Sequence, residues 1–236
     1  MNGKIKIHFS NTKLNLIGDN IVVSLYLTKN YNFTKYKFNY EKLPYKKAKI
    51  LRIIADKSIL VTEKVKSDID SHNMDEAIED IIISNLSKQS LGKERLLPNK
   101  VLNAFNIGEY FTTFQHGDLH YNNILFENQK DYKLIDFDCS DYFPFCYDYV
   151  MFKGVHNVGF EDKKLIEQFG IEYNHNEYLK YMSLCLLYRF YYKGYRLAGA
   201  YEFINFNNEV FPFIKEKELF KTIDYIEDFY SWELKK

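Results

Sequence analysis

The sequence predicts an α+β fold with two lobes, the first rich in strands and the second rich in helices. Within the first 66 residues, short segments alternate apolar and polar residues, which is the period of a strand. From about residue 147 onward, apolar residues recur at helical spacing instead. We therefore predict a small β-rich lobe of residues 1–66 and a larger helical lobe of residues 67–236.

The small lobe is predicted to contain an initial strand, two hairpins and one helix. Ile5, Ile7 and Phe9 alternate with polar residues, and Phe33–Leu43 is predicted to form a helix that ends before Pro44. Each hairpin has two apolar strands around a polar turn: Leu14–Ile17 and Ile21–Leu27 around 18–20, and Ile50–Ile54 and Ile59–Val65 around 55–58.

In the large lobe, the clearest helix is predicted to start at Asn73, with Glu76 in the reciprocal capping position. Three strands follow, and two long amphipathic helices lie near the end of the chain. The predicted strands are Phe111–Gln115, Asn123–Phe126 and Tyr132–Phe137, and the late helices are Asn176–Ala200 and Glu216–Trp232.

Composition limits the classes of function. Hydrophobic residues make up 46% of the chain, which is enough for a folded core. The 32 basic and 32 acidic residues balance, so no overall field attracts nucleic acid or an anionic membrane. The three cysteines form no CxxC pair, which suits the reducing cytoplasm. Charged residues interrupt the longest apolar stretch, Tyr181–Tyr201, so we expect no membrane span.

A dense group of chemically active residues lies in the sequence HGDLHYNN, residues 116–123, followed by LIDFD, residues 134–138. One interpretation is a metal pair on a strand, because His116, Asp118 and His120 would then share a face. GDLH is similar to part of the metallophosphoesterase pattern, but the further GDxxD and GNH motifs of those enzymes do not occur. The other interpretation is phosphoryl transfer.

The second interpretation is favoured by spacing. His116, Asp118 and Asn123 match H-x-D-x-x-x-x-N, and Asp136 follows an apolar strand further along the chain. Transfer of a γ-phosphate to a hydroxyl needs a carboxylate to orient that hydroxyl and accept its proton. The polyphosphate needs Mg²⁺, which prefers carboxylate and amide oxygens as ligands.

These motifs resemble the aminoglycoside phosphotransferase and choline kinase branch of the protein-kinase-like superfamily, written HGDxxxxN and IDxE/D. Gly117 stands where protein kinases usually have Arg, and Asp138 stands where they have the Gly of DFG. Tyr147-Asp148 resembles the YDL segment that opens the next helix in the small-molecule kinases. The resemblance is specific over about residues 114–150.

The resemblance implies a two-lobed protein-kinase-like fold with a reduced N-lobe, and a role for each motif residue. Asp118 would be the catalytic base, with ATP or another nucleoside triphosphate as donor. Mg²⁺ would be held by Asn123 and Asp136, with Asp138 either as a further metal ligand or as an acid that supports the metal site. The structural residues would be His116, His120 and Asp148.

On the nucleotide side, the resemblance is architectural. Residues 62–65 would form the hinge, so Glu63 and Val65 are expected to lie at the adenine; an ordinary hairpin is the alternative. No GxGxxG motif occurs, and residues 17–20 would replace the phosphate-covering loop. Lys29, paired with Glu41, is the candidate for the lysine that contacts phosphate; the alternative is that both are exposed residues without such a role.

The predicted function is therefore phosphorylation of an alcohol group on a small molecule or saccharide. Residues 188–196 are rich in tyrosine and cationic side chains that could contact such an acceptor, although a helix would bury about half of them. The alternative is a catalytically silent kinase-fold binding or regulatory module. A protein kinase is disfavoured, because no APE-like end of an activation segment follows Asp138.

Overall fold

The structure is a computed structural model that describes residues 5–10, 12–28, 31–67, 69–92, 102–103, 110–156, 158–168, 181–182, 184–185 and 188. The chain forms two compact units. The first contains residues 1–77 and 120–139, and the second contains residues 78–119 and 140–236. The division predicted at residue 66 stays a prediction.

The first unit is built on a five-stranded antiparallel sheet with the strand order β1-β2-β3-β5-β4. The strands are β1 (Lys6–Phe9), β2 (Lys13–Ile17), β3 (Ile21–Tyr26), β4 (Ile50–Ile54) and β5 (Ile59–Glu63). Both predicted hairpins are present, as the pairs β2–β3 and β4–β5. Ser58, at φ 53°, closes the second turn in the left-handed region.

Helix α1 (Phe33–Lys42) lies between β3 and β4, as predicted. The side chain of Asn32 accepts a hydrogen bond from the Lys35 N–H, which caps the helix start. Phe33, Tyr36 and Asn39 are buried, and the Asn39 amide donates to the Phe137 carbonyl at 3.2 Å. The buried face of α1 is thereby tied to the segment that carries the LIDFD motif.

That segment belongs to a small second sheet of the same unit. After a single 3₁₀ turn at Tyr121–Asn123, strand β7 (Ile124–Phe126) pairs with β8 (Tyr132–Leu134). The backbone of residues 46–48 runs parallel to β8, with Ala48 N–H donating to Leu134 O at 3.1 Å. Because β7 pairs with β8, Asn123 lies beside the LIDFD segment, and the Ile135 N–H donates to the Asn123 carbonyl at 3.1 Å.

The second unit contains a two-stranded sheet and several helices. Its elements include α2 (Asp75–Ser87), which starts at the boundary of the units, β6 (Thr112–Gln115), β9 (Asp141–Pro144), α3 (Tyr147–His156) and α4 (Asp162–Gln168). The Glu79 carboxylate of α2 accepts hydrogen bonds from the Tyr149 hydroxyl at 3.0 Å and the Glu161 N–H at 2.6 Å. This buried acid links α2 to α3 and to the residue that precedes α4.

Several details differ from the sequence prediction, and one is the third predicted strand of the large lobe, which ends at Leu134 and not at Phe137. Helix α2 begins at Asp75 rather than directly after Asn73, because Asp70 accepts the His72 N–H and starts a 3₁₀ turn over residues 71–73. Strand β9 was not predicted, since its short sequence ends in proline. The late helices fall mostly outside the described residues, and no helix in the described part of the chain is long and apolar enough to cross a bilayer.

Candidate active site

The HGD segment follows β6, and its backbone is held by Asp148 at the start of α3. Asp148 Oδ2 accepts the His116 N–H at 2.8 Å, and its Oδ1 accepts the Gly117 N–H at 2.9 Å. Gly117 has φ 78°, in the region that favours glycine, so a side chain there would strain the loop. His116 and Gly117 are buried, whereas Asp118 is exposed. The exposed Asp118 thus comes directly after two residues whose backbone is held in place by Asp148.

Asp148 is itself firmly placed. Its N–H donates to Gln115 Oε1 at 2.8 Å, and Gln115 Nε2 donates to the Pro144 carbonyl at 2.8 Å. Burial raises the pKa of Asp148, while His116 and the two N–H donors act in the opposite direction. Asp148 thus lies where it can support the loop, but its predicted structural role, like that of His116, stays a prediction.

His120 and Asn123 contact each other within the first unit. Asn123 is buried, and its Nδ2 lies 3.0 Å from His120 Nε2. The amide nitrogen is the donor in this contact, so the amide oxygen is the atom of Asn123 that has the chemistry of a metal ligand. Between them, the Tyr121 hydroxyl donates to Asp75 Oδ1 at 2.5 Å, which anchors the turn. The supporting role of His120 stays a prediction.

Asp136 and Asp138 are joined by a lysine that the sequence analysis missed. Lys13, the first residue of β2, places its Nζ 2.5 Å from Asp136 Oδ1 and 3.0 Å from Asp138 Oδ2. Burial opposes the charge on Lys13, but the two acids outweigh it and raise its pKa. Asp136 has φ 65°, a left-handed conformation that Asp tolerates better than most residues.

Two tyrosines complete the cluster around Asp138. The rings of Tyr26 and Tyr31 are stacked with centroids 3.8 Å apart, and both hydroxyls donate to Asp138 Oδ1. Burial raises the pKa of both phenols, so they remain donors at neutral pH. Burial also raises the pKa of Asp138, against the effect of Lys13. For Asp138 to bind a metal, some of these donors would have to move away.

Lys13, which contacts both acids of the LIDFD motif, is not the lysine that the sequence suggested for a phosphate contact. The sequence candidate, Lys29, lies outside the described residues, and Glu41 is an exposed residue whose Oε1 is 3.7 Å from Lys37 Nζ. The only signal for Lys13 was its alternation with Leu14 and Leu16 on β2, which does not reveal which face of the sheet is buried.

At the predicted hinge, the Glu63 side chain is engaged within its own unit. Its Oε1 accepts from Lys133 Nζ and from the Lys49 N–H, each at 2.9 Å, and the bond from Lys133 lowers the pKa of Glu63. The N–H groups of Glu63 and Lys64 donate to the carbonyls of Lys49 and Asn20. Val65 is buried, and an adenine role for Glu63 and Val65 stays a prediction.

The donor set of the first unit fits a magnesium ion. Asn123 offers an amide oxygen, and Asp136 and Asp138 offer carboxylates, which are the hard ligands that Mg²⁺ prefers. Within the described residues, no group of three or more His, Cys, Asp or Glu side chains is arranged to hold a metal ion. A magnesium site here therefore requires the amide, and the bound phosphates would complete it.

Replacing Lys13 by methionine is expected to destabilise the fold by about 3 kcal/mol, because it leaves two partly buried carboxylates without their cation. The measurement is urea denaturation. Lys46→Met removes an exposed ion pair of the same unit, at 2.9 Å to Asp131, and should change stability little. Equal effects of the two substitutions would contradict a special role for the Lys13 cluster.

The fold and these motifs are those of a kinase-like fold, and comparisons with known proteins agree. Residues 83–183 match the family model APH, described as a phosphotransferase enzyme family. No curated protein sequence matches the chain. The predicted resemblance to the aminoglycoside phosphotransferase and choline kinase branch is confirmed by the family match and the structural comparisons.

Solved structures with the same fold have low sequence identity. A choline/ethanolamine kinase family protein from Mesorhizobium loti has a TM-score of 0.61 at 11% identity, covering 96% of this chain and 93% of that one. The choline kinase LicA from Streptococcus pneumoniae has a TM-score of 0.54 at 15% identity, covering 92% and 94%. The aminoglycoside phosphotransferase APH(4)-Ia has a TM-score of 0.55 at 11% identity, covering 90% and 93%.

At this level of identity the structural likeness shows the fold. The predicted protein-kinase-like α+β fold is thus confirmed. The match to a family of phosphotransferase enzymes supports the predicted class of activity.

Proposed function

We propose that the protein is a phosphotransferase that moves the γ-phosphate of ATP, or of another nucleoside triphosphate, to a hydroxyl of a small molecule or saccharide. The observation that carries this proposal is the cluster of Lys13 with Asp136 and Asp138. It brings a buried cation to the acids of the LIDFD motif, where the family pattern has its metal-binding acid. The APH family match supports the same chemistry.

Asn123 and Asp136 are proposed to hold Mg²⁺, with Asp138 as a further ligand once its tyrosine donors have moved. The ion would neutralise the charge of the triphosphate. The Asn123 amide, held by His120 at 3.0 Å, would keep its oxygen oriented toward the ion. Lys13, no longer needed to neutralise both acids, could then donate to phosphate oxygens.

Asp118 is proposed to orient the acceptor hydroxyl and accept its proton. Its support is the fixed backbone before it, since His116 and Gly117 both donate to Asp148. Holding a carboxylate in place lowers the entropic cost of aligning the attacking oxygen. Glu63 and Val65 are proposed to lie at the base of the nucleotide, with contacts made by the backbone because the Glu63 carboxylate already binds Lys133.

The acceptor is proposed to be a small molecule, supported by the names of proteins with the same fold, which include a choline kinase and a complex of streptomycin, ATP and APH(2″)-IIa. Of the tyrosine-rich stretch, Tyr188 is buried, with its ring centroid 5.0 Å from that of Phe143, so it belongs to the core.

A cytoplasmic location is proposed because Cys139, Cys146 and Cys185 form no disulfide bonds with one another.

One observation favours a second candidate, a kinase-fold module that does not transfer phosphate. Lys13, Tyr26 and Tyr31 occupy both oxygens of Asp138. If these contacts persist when nucleotide is present, Asp138 could not accept a metal.

Thermal unfolding with ATP and Mg²⁺ separates the two candidates. Saturable binding at a hundredfold excess over Kd should add about 2.7 kcal/mol of stability. We expect a shift with ATP and Mg²⁺ together that exceeds the shifts with ATP or Mg²⁺ alone. No shift at millimolar nucleotide would overturn the proposed phosphotransferase. If binding is seen, nucleotide consumption should then be screened against aminoglycosides, amino alcohols and sugars to find the acceptor.

A further inference from the structure

The five-stranded sheet has two very different faces. The inner face carries buried residues, among them Lys13, Ser24, Tyr26 and Leu60. Side chains alternate along strands, so the neighbouring positions form the other face, which we call the outer face. Cross-strand pairing arranges it in two rows: Ile7, Leu16, Val23, Val61 and Arg52, and Phe9, Leu14, Leu25, Ile59 and Ile54.

The outer face is almost entirely apolar. Two charged residues lie at its margins: Arg52 on β4, at the far edge of the sheet, and Glu63 at the end of β5, opposite Ile21. The six middle positions, on β2, β3 and β5, are only half-buried in the described structure. An antiparallel sheet with one solvated face normally carries polar residues there, so this pattern is unusual.

Five large apolar side chains of this face are well exposed. The exposed fractions are 66% for Ile5, 60% for Ile7, 72% for Phe9, 42% for Ile21 and 60% for Leu27. Contiguous apolar patches of this kind are rare on monomeric proteins and usually mark a site of association. A partner must itself be apolar, because the patch offers almost no charge to attract a charged surface.

We propose that the outer face is the interface of a homodimer, in which the outer faces of two copies pack against each other about a two-fold axis. A second copy presents the same largely apolar surface, so the contact is self-complementary and closes on itself. Two twisted sheets pack well face to face at about 10 Å, with their side chains interdigitated. The faces would thereby form a two-layer core.

The area of the patch suits this occupant. If a fully exposed large apolar side chain presents roughly 200 Å², the exposed parts of these five side chains total about 600 Å² per copy. The half-buried residues between them add to this area. The sum approaches the roughly 800 Å² per partner of a stable interface of standard size.

The test is the oligomeric state of the full chain, measured by sedimentation equilibrium over a range of concentrations. We expect the wild type to be a dimer and Ile7→Lys to be a monomer, since a charge would be buried in the interface. Ile7 is 60% exposed, so the substitution should leave the fold of each copy intact, and this is checked by circular dichroism. Ile7→Val keeps the position apolar and should preserve the dimer.

Phe38→Lys is the matched control. Phe38 is a large apolar residue of the same unit with 53% exposure, but it lies on α1 instead of the sheet, so its variant should remain dimeric. A wild type that is monomeric at every concentration would overturn the proposal. A dimer that persists in Ile7→Lys would also overturn it. A monomeric wild type that Ile7→Lys destabilises would do the same, because another part of the same chain would then cover the face.

Discussion

Replacing Asp118 with asparagine is expected to lower kcat by roughly 10²–10⁴-fold, the usual size of a general-base contribution. Asparagine has the same shape but cannot accept the proton of the acceptor hydroxyl. The backbone before it is fixed by Asp148, and the Asp118 side chain is exposed, so the substitution should not disturb the fold. The measurement is steady-state kinetics on an acceptor found by the nucleotide-consumption screen.

The effect of Asp118→Asn should fall on kcat and leave nucleotide binding unchanged, because the proposed base contacts the acceptor and not the triphosphate. Asp131→Asn, an exposed acid in the β7–β8 turn that pairs with Lys46, serves as the control and should keep full turnover. If Asp118→Asn has unchanged turnover on a confirmed acceptor, the proposed role of this residue is wrong.

Asp136→Asn is expected to abolish the Mg²⁺-dependent part of nucleotide binding. An asparagine at this position loses the charge of a proposed metal ligand but still tolerates the left-handed backbone at φ 65°, so it is a better probe than alanine. Isothermal titration calorimetry with ATP, with and without Mg²⁺, measures the effect. The stabilisation of about 2.7 kcal/mol expected for the wild type at a hundredfold excess of ligand should disappear.

This substitution also weakens the ion pair with Lys13, so the variant without ligand is expected to be less stable than the wild type. Binding must therefore be compared below the unfolding temperature of each variant. Lys13→Met serves as a second reference for the unfolding temperature alone, because it breaks the same ion pair but keeps the carboxylate. If Asp136→Asn binds ATP and Mg²⁺ as tightly as the wild type, the metal site lies elsewhere.

The sequence was informative where function depends on residues close together in the chain. The spacing of His116, Asp118 and Asn123 fixed the resemblance, and the hairpins and α1 followed from local patterns that the structure confirms. Gly117 shows why such a motif is readable: its positive φ is a local backbone demand, and only glycine meets it without strain.

The sequence was least informative where residues far apart in the chain come together. Lys13 and Asp136 are in contact, yet each lies in a segment whose local pattern says nothing about the other. Likewise Tyr26 and Tyr31 were two of many tyrosines, and only folding brings their hydroxyls to Asp138. The unpredicted β9 is similar, since a short segment ending in proline becomes a strand only because β6 lies beside it.

The sequence by itself thus provided the kinase-like motif, the two hairpins with α1, and a predicted class of chemistry that the family match supports. Tertiary structure alone decided which lysine contacts the motif acids and which face of the five-stranded sheet is buried. The physical reason is that alternation along a strand defines two faces without saying which one is covered. The choice depends on what packs against the sheet, and here α1 and the segment after β8 lie with the face that carries Lys13 and Tyr26.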